Sequence, residues 1–254
     1  MKIALIQSAL FWKNPEANRN YFDQKINSFT EKVDLIILPE MFSSGFTMHP
    51  NAVAETMQGK TIHWLTALAK AQNSAIMGSL VISENEKFYN RLLFVFPSGE
   101  IQFYDKRHLF TLSGEHKAYT AGSQKLIVEY LGWKICPLIC YDLRFPVFSR
   151  NSQEYDMLVY VANWPDVRIN AWDALLKARA IENMCYAVGV NRIGVDANDY
   201  AYNGHSQVQD YLGHSILDPQ ETEGVFIVEL DKKKLLATRQ ELGFLNDKDF
   251  FEMK

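Results

Sequence analysis

The sequence predicts a mixed α/β fold. Short apolar strands alternate with amphipathic helices in the first third of the chain, and β-hairpins interrupt this order in the middle, so a purely parallel sheet is not expected. The chain has 254 residues with 48% hydrophobic content, which is enough for one large core. Because the chain has no internal repeat and no linker-like composition, we predict a single domain over residues 1–254.

The N-terminal elements follow from apolar runs and helix-start signals. Residues 3–6 form an apolar run typical of a buried strand. The Asn-Pro-Glu sequence at 14–16 starts a helix, because Asn caps a helix, Pro fits its first turn and an acid favours its positive end. A second buried strand covers residues 34–39, and Glu40 follows it directly. Residues 59–72 have the apolar spacing of a second helix.

Hairpin signals dominate the next part of the chain. Strands are predicted over residues 75–82 and 92–96. The Pro-Ser-Gly-Glu sequence at 97–100 is typical of a turn and leads into a strand over 101–104. Lys106 comes just after the end of that strand.

A second predicted hairpin is followed by Cys140. The mixed segment 108–121 is predicted to be a loop, and strands are predicted over 124–130 and 133–139. Pro137 cannot donate to a β-ladder, so we expect its part of the strand to lie at an edge or bulge. Cys140 follows the second of these strands.

The last third of the chain continues the α/β pattern. A helix is predicted over 171–184, with strands over 156–162, 186–191, 206–208, 215–217 and 224–229. Residues 242–254 are predicted to be a tail whose aromatic side chains could pack on a partner subunit.

Charge and cysteine content exclude several classes of protein. A net charge of −4 without a long basic run disfavours binding to nucleic acid or anionic membranes. Three cysteines cannot all pair with one another, which favours a reducing compartment. Residues 1–7 have a single lysine and a short apolar run, unlike a signal peptide, so we predict a cytoplasmic protein. Fingerprints for metals, nucleotides and phosphate are absent, so no metal or cofactor is expected.

Three polar residues share one position relative to the predicted strands. Glu40, Lys106 and Cys140 each lie just past the C-terminal end of a strand. Ligand sites of α/β sheets collect at those ends, so neighbouring strands would bring a carboxylate, an ammonium and a thiol together. Glu40 could then move the thiol proton, Lys106 could stabilise an oxyanion, and Cys140 could attack an amide or nitrile carbon. Taken singly, the acid and the lysine are more simply read as ordinary loop charges.

Cys140 has two possible readings. It lies between a strand and a helix start at Pro146, where backbone N–H groups and a helix N-terminus favour the thiolate. A cysteine at the end of an apolar run is also often part of the core, as we expect for Cys136 and Cys185. The polar neighbours Tyr-Asp-Leu-Arg distinguish Cys140 from those two residues.

Three segments resemble the nitrilase superfamily of carbon–nitrogen hydrolases. They are Leu-Pro-Glu-Met-Phe at 38–42, Tyr-Asp-Lys-Arg-His-Leu-Phe at 104–110 and Ile-Cys-Tyr-Asp-Leu-Arg-Phe-Pro at 139–146. They occur in the order of the family, and the resemblance covers nearly the whole chain. It implies an αββα sandwich and a cofactor-free thiol hydrolase.

The resemblance also implies a role for each site residue. Glu40 is expected to be the general base and acid, Lys106 the transition-state stabiliser and Cys140 the nucleophile. Glu115 matches a second glutamate that positions the lysine and the substrate. The backbone N–H of Tyr141 is expected to join Lys106 in the oxyanion hole. Members of the family commonly form homodimers, often through the helix after the cysteine.

Within the superfamily the chain looks most like the omega-amidases. The segments that carry this likeness are 108–116, 161–165 and 176–183. It implies release of ammonia from the terminal amide of a short 2-oxo acid such as 2-oxoglutaramate, through a cysteine thioester.

A substrate of this kind carries a carboxylate, so its pocket needs a cation. Arg144 and Arg168 are the candidates, although Arg144 could instead form a structural ion pair with Asp142 or another loop acid. The aromatic residues expected to shape the pocket walls are Phe42, Trp164 and Tyr119.

Three alternatives remain open from the sequence. One is another carbon–nitrogen hydrolase, such as a nitrilase or a carbamoylase. Another is a non-catalytic binding protein on the same fold, which the intact acid–lysine–cysteine set argues against. A cysteine peptidase is disfavoured because no histidine is placed as convincingly as Glu40.

Overall fold

The computed structural model describes residues 1–252, and two six-stranded β-sheets packed against each other form its centre. This confirms the predicted α/β class and the αββα sandwich implied by the resemblance. The strands are β1 (Lys2–Gln7), β2 (Leu35–Ile37), β3 (Ala75–Glu84), β4 (Lys87–Val95), β5 (Ile101–Asp105), β6 (Val128–Tyr130), β7 (Trp133–Ile139), β8 (Met157–Val161), β9 (Tyr186–Val190), β10 (Ile193–Val195), β11 (Ala201–Asn203), β12 (Ser206–Gln209), β13 (Ser215–Gln220) and β14 (Gly224–Glu229). The helices are α1 (Pro15–Asn27), α2 (Lys60–Gln72), α3 (Glu115–Ala118), α4 (Pro146–Ser149), α5 (Ile169–Asn183) and α6 (Lys232–Leu242).

The sheets are related by similar strand orders. The first sheet has the order β14-β1-β2-β3-β4-β5 and the second β13-β12-β9-β8-β7-β6, while β10 and β11 form a separate hairpin. In each sheet parallel strands at the centre are flanked by antiparallel strands. The C-terminal ends of the central strands β2, β7 and β8 therefore lead into loops that can meet.

Alternation of side chains along β1 separates two apolar cores. Ile3 and Leu5 join the core between the sheets, whereas Ala4 and Ile6 face the core under α1 and α2. Helix α5 covers the second sheet and packs closely on β9. A Cβ added at Gly189 would lie within 2.6 Å of both Trp172 and Leu176 side-chain atoms, so the absence of a side chain lets this helix approach.

Strand β7 explains how a proline fits inside a sheet. It pairs with β8 along Ile135–Ile139, but β6 pairs only with Trp133–Ile135. Pro137 therefore lies where the outer side of β7 has no ladder partner, which confirms the expectation of an edge.

Several elements differ from the sequence prediction. Strand β4 begins at Lys87 rather than at residue 92, because its polar first half still pairs with β3. Helix α6 was not predicted, since only Leu235 in it is buried and its apolar periodicity is weak. The predicted loop 108–121 contains the single-turn helix α3.

The C-terminal segment is partly helical and partly extended. Leu242 ends α6, so the predicted tail begins later than residue 242, and a 3₁₀ helix covers Phe244–Asp247. Phe250 is 93% exposed. Met253 and Lys254, which belong to the predicted tail, lie outside the described residues. No helix within residues 1–252 is both long and apolar enough to cross a membrane.

Candidate active site

Glu40 is held rigidly beyond the end of β2. Its side chain is fully buried. The carboxylate accepts hydrogen bonds from Asn90 Nδ2 at Oε1 (2.8 Å) and from the backbone N–H of Asn163 at Oε2 (2.8 Å). The Asn163 amide also donates to the Glu40 carbonyl oxygen (2.6 Å). Because Asn163 follows β8 and Asn90 lies in β4, both sheets fix the orientation of this acid.

Lys106 immediately follows β5 and is also fully buried. Its Nζ lies 2.9 Å from Glu40 Oε1 and 3.0 Å from each carboxylate oxygen of Glu115. Its backbone N–H donates to the Asn90 carbonyl (3.0 Å), which continues the pairing of β4 with β5. The structure thus brings the predicted acid, the lysine and the second glutamate together.

Glu115 is the first residue of α3 and lies behind Lys106, outside the lining of the cavity. Besides Lys106 it accepts a hydrogen bond from the backbone N–H of Phe110 at Oε2 (2.6 Å). The Glu115 carboxylate therefore contacts Lys106 and does not face the cavity.

We call Glu40, Lys106 and Glu115 the active-site cluster. It places two carboxylates and one ammonium out of contact with water. Burial opposes the charge on Lys106, but the carboxylates of Glu115 and Glu40 hold its pKa above the ordinary value. Burial and the charge of Glu40 raise the pKa of Glu115, against the pull of Lys106. The lysine therefore stays cationic, and the pKa of Glu115 remains above its ordinary value.

Cys140 begins the 3₁₀ helix Cys140–Arg144, directly after β7, as the sequence predicted. Its φ of +43° is in the left-handed region, which is uncommon for a residue with a side chain. A cysteine held in this conformation is often part of a functional site.

The surroundings of Cys140 favour the thiol. Burial, and then the charge of Glu40, raise the pKa of the Cys140 thiol well above its ordinary value, although Lys106 acts in the opposite direction. Attack by this sulfur would therefore require a base, and Glu40 lines the same cavity.

Glu40, Lys106 and Cys140 line one cavity of about 440 Å³, a size that suits a small molecule. Its other walls come from the loop after β2, the segment before α3, the loop after β8 and the β10–β11 hairpin. The lining residues outside the catalytic set are Trp12, Phe46, Thr47, Met48, His49, Phe110, Leu112, Ser113, Tyr141, Arg144, Asn163, Trp164, Pro165, Arg168, Asp196, Asn198, Tyr200 and Tyr202.

Two of the predicted wall residues lie elsewhere. Tyr141 and Trp164 line the cavity, but Phe42 and Tyr119 do not. Phe42 is buried in the core under α1 and α2, edge-on to Phe22. Tyr119 is buried in a small separate apolar cluster, where its hydroxyl donates to the carbonyl of Thr47 (2.6 Å). The prediction that Phe42 and Tyr119 form the walls is therefore wrong.

Two arginines face the same cavity without an acidic partner. Within residues 1–252 neither Arg144 nor Arg168 forms an ion pair. Arg144 stacks on Trp164 (4.9 Å to the ring centroid) and Arg168 on Phe110 (5.3 Å). Arg144 therefore does not form the structural ion pair with Asp142 that the sequence had left open.

Part of the site was not predicted from the sequence. Asn163 follows β8 just as Glu40 follows β2, so the same strand-end rule could have found it. Asn90 lies inside a strand and Asp196 beside a hairpin that was not predicted, and neither carries a local sequence signal. Their roles depend on contacts between distant segments.

Known proteins share this arrangement of the chain. The family model described as carbon-nitrogen hydrolase matches residues 2–240. The chain is 43% identical over 254 residues to the omega-amidase YafV of Escherichia coli (strain K12), covering 100% of this chain and 98% of that protein. It is 30% identical over 250 residues to the 2-oxoglutaramate amidase of Bacillus subtilis (strain 168), covering 96% of each.

A solved structure is similar over the whole length. XC1258 from Xanthomonas campestris, described as a CN-hydrolase superfamily protein with an arsenic adduct in the active site, has a TM-score of 0.97 and 41% sequence identity, covering 100% of this chain and 99% of that one. The family match and the two-sheet fold agree with the buried acid–lysine pair beside a cysteine. The chain belongs to the carbon–nitrogen hydrolase family and is a hydrolase of amide carbon–nitrogen bonds.

Proposed function

We propose that this protein is an omega-amidase that hydrolyses the terminal amide of a short 2-oxo dicarboxylic acid monoamide, such as 2-oxoglutaramate, to the acid and ammonia. The observation that carries the proposal is one cavity lined by Glu40, Lys106, Cys140 and two unpaired arginines. The first three residues suit acyl transfer from an amide, and the arginines suit a substrate carboxylate.

Acylation begins with the Cys140 thiol. Its sulfur attacks the amide carbon while Glu40 takes the thiol proton, so the negative charge moves from Glu40 to the developing oxyanion. The oxyanion that forms is stabilised by the Lys106 ammonium and by the backbone N–H of Tyr141. That N–H is in the first turn of a 3₁₀ helix and has no acceptor within the helix. Glu40 then gives its proton to the departing nitrogen, which leaves as ammonia, and a thioester remains.

Deacylation repeats the same roles with water. Glu40 takes a proton from a water molecule that attacks the thioester carbon, and the same two donors stabilise the second oxyanion. Collapse releases the carboxylic acid, and the proton held by Glu40 returns to the cysteine sulfur.

The substrate carboxylate is proposed to bind Arg144, with Arg168 as the second cation at the cavity. A guanidinium that is stacked on an aromatic ring keeps its N–H edge free for a carboxylate. The B. subtilis relative is named a 2-oxoglutaramate amidase, and that amide carries a carboxylate, which supports this class of substrate for the present chain.

Ammonia release from a panel of short amides and nitriles tests the proposal. We expect 2-oxoglutaramate to be hydrolysed fastest and Cys140→Ala to release no ammonia, with a thermal melt close to wild type. Substantial turnover by Cys140→Ala excludes it as the nucleophile. Preferred turnover of a nitrile or carbamoyl compound points to another carbon–nitrogen hydrolase, and no turnover of any compound points to a binding protein.

The carboxylate receptor is tested with a matched pair of amides. Arg144→Ala should reduce kcat/KM for 2-oxoglutaramate by about tenfold to 100-fold more than for an uncharged amide of equal length, because only the former loses a charge-assisted hydrogen bond. Equal losses for the two amides contradict the assignment.

We also propose a cytoplasmic homodimer in which residues 1–254 form one domain. Three free cysteines support a reducing compartment, and the pairing of β1 with β14 joins the two ends of the chain in one sheet. Exposed apolar side chains at Ile181 on α5 and at Phe250 are available to a second subunit. Sedimentation of wild type against Ile181→Glu tests this, since a dimer that uses α5 should dissociate.

A further inference from the structure

The carboxylate of Asp142 is fully buried and is surrounded by donors. Its Oδ2 accepts hydrogen bonds from the backbone N–H of Ile139 (3.0 Å) and the hydroxyl of Tyr104 (2.7 Å). Its Oδ1 accepts one from the backbone N–H of His108 (3.1 Å) and lies 2.7 Å from Nδ1 of the same residue. Because an ionised carboxylate can only accept, that ring nitrogen carries a proton.

The donors come from both sides of the reaction site. Ile139 directly precedes Cys140, and His108 lies two residues after Lys106. The Tyr104 hydroxyl in turn accepts a hydrogen bond (3.0 Å) from the backbone N–H that follows Lys106. A single carboxylate therefore joins the chain beside the nucleophile to the chain beside the lysine.

The bond to Ile139 also closes the turn at the nucleophile. Asp142 is the third residue of the 3₁₀ helix, and its side chain reaches back across Cys140 to the N–H before it. Cys140 has a φ of +43°, a conformation that persists only where the surroundings impose it. Loss of this contact would let the residue relax to negative φ and move its sulfur.

We propose that Asp142 is a positioning residue that holds the Cys140 sulfur in register with Lys106 and Glu40. It does not touch the substrate and acts only through the two chain segments that it joins. His108 completes the arrangement, since its ring stacks face to face on Phe145 (3.7 Å between centroids) while it bonds Asp142. The amidase readout rests on the proposed function, whereas the readout of thiol reactivity does not.

Asp142→Asn tests the proposal, because its amide N–H₂ would replace an acceptor that faces donors. Amidase kcat per titrated active thiol should fall by about 100-fold, as expected for a reacting atom displaced by about 1 Å, while KM changes less than about threefold. Alkylation of Cys140 by iodoacetamide should slow by about tenfold, because Glu40 no longer takes the thiol proton efficiently.

Asp156→Asn is the matched control. Asp156 is a second buried carboxylate, and it accepts a hydrogen bond from the backbone N–H of Lys134 (2.9 Å) at the other end of β7. Its loss should lower the melting temperature and leave both kcat per active thiol and the alkylation rate unchanged. Equal losses of kcat in both variants, or wild-type kcat in Asp142→Asn, would overturn the proposal.

If Asp142→Asn does not fold, two milder variants test the same role of Asp142. Tyr104→Phe and His108→Phe each remove one side-chain donor and keep the carboxylate, so each should lower kcat per active thiol by about threefold to tenfold. Wild-type kcat and alkylation rates in both variants would overturn the proposal. If wild-type protein releases no ammonia from any omega-amide, the proposed function fails, and alkylation rates alone then test the role of Asp142.

Discussion

Two buried charged clusters differ in their balance of charge. Near the N-terminal ends of β7 and β8, Asp156 accepts hydrogen bonds from Lys232 Nζ (2.6 Å) and Arg239 Nη1 (3.2 Å). Both cations keep part of their surface exposed. The active-site cluster instead has two acids for one cation, with all three side chains fully buried.

The difference separates stabilisation from function. One acid satisfied by two partly hydrated cations costs little to bury, so the Asp156 cluster stabilises the C-terminal helix against the sheet. Two acids and one lysine without water are an expensive arrangement, which natural proteins keep where proton transfer needs it. Burial is the largest cause of the raised pKa of the Cys140 thiol, and the negative charges of Glu40 and Glu115 add to it.

The largest effect is expected from removing the lysine. Lys106→Met leaves Glu40 and Glu115 buried without a cation, which should cost about 3–5 kcal/mol in the free energy of unfolding at neutral pH. Loss of an oxyanion partner should also lower kcat by about 10³-fold. Urea unfolding and ammonia release check the two effects, and a variant of wild-type stability would contradict the charge balance described here.

Glu115→Gln tests the charge balance of the active-site cluster through the pH dependence of the free energy of unfolding. Since burial and the charge of Glu40 raise the pKa of Glu115, the folded state holds the proton of this carboxyl group more tightly than the unfolded state does. The stabilisation is therefore complete below the ordinary glutamate pKa and is lost as pH rises through the raised value.

The neutral variant should accordingly lose less free energy of unfolding than wild type as the pH rises above the ordinary glutamate pKa. Its kcat should fall by about tenfold, because Lys106 is held less firmly. Parallel pH dependences of unfolding for the two proteins would contradict the raised pKa.

The smallest effect on catalysis is expected in the other cluster. Asp156→Asn should lower the free energy of unfolding by about 2 kcal/mol, because the charged partners Lys232 and Arg239 lose their acceptor. Activity should remain at the wild-type level. A loss of activity without a loss of stability would show that the two clusters are not separate in role.

Local sequence patterns predicted well where the strands end. They predicted poorly which distant segments contact one another. Glu40, Lys106 and Cys140 follow apolar runs whose ends can be read from the chain, and Pro137 marks its own edge position. Helix α6 escaped prediction because it buries little apolar surface. Its existence depends on contacts such as Arg239 Nε to the carbonyl of Met184 (2.6 Å), which join distant segments.

The electrostatics of the site could not be predicted from neighbours in sequence. The residues after Cys140 indicated a helix start, but the pKa of its thiol depends on burial and on Glu40, which is far away along the chain. Phe42, which is close to Glu40 in sequence, was expected in the cavity wall. The side chain of that residue turns instead into the core under α1 and α2.

The central claim is that Cys140 forms an acyl intermediate with an omega-amide. Partitioning with hydroxylamine tests it directly, since a shared thioester divides between water and hydroxylamine in a ratio that does not depend on the group that has left. The 2-oxo acid amide and the matching methyl ester should give the same ratio of hydroxamate to acid at each hydroxylamine concentration. Ratios that differ between the two substrates would contradict a common thioester at Cys140.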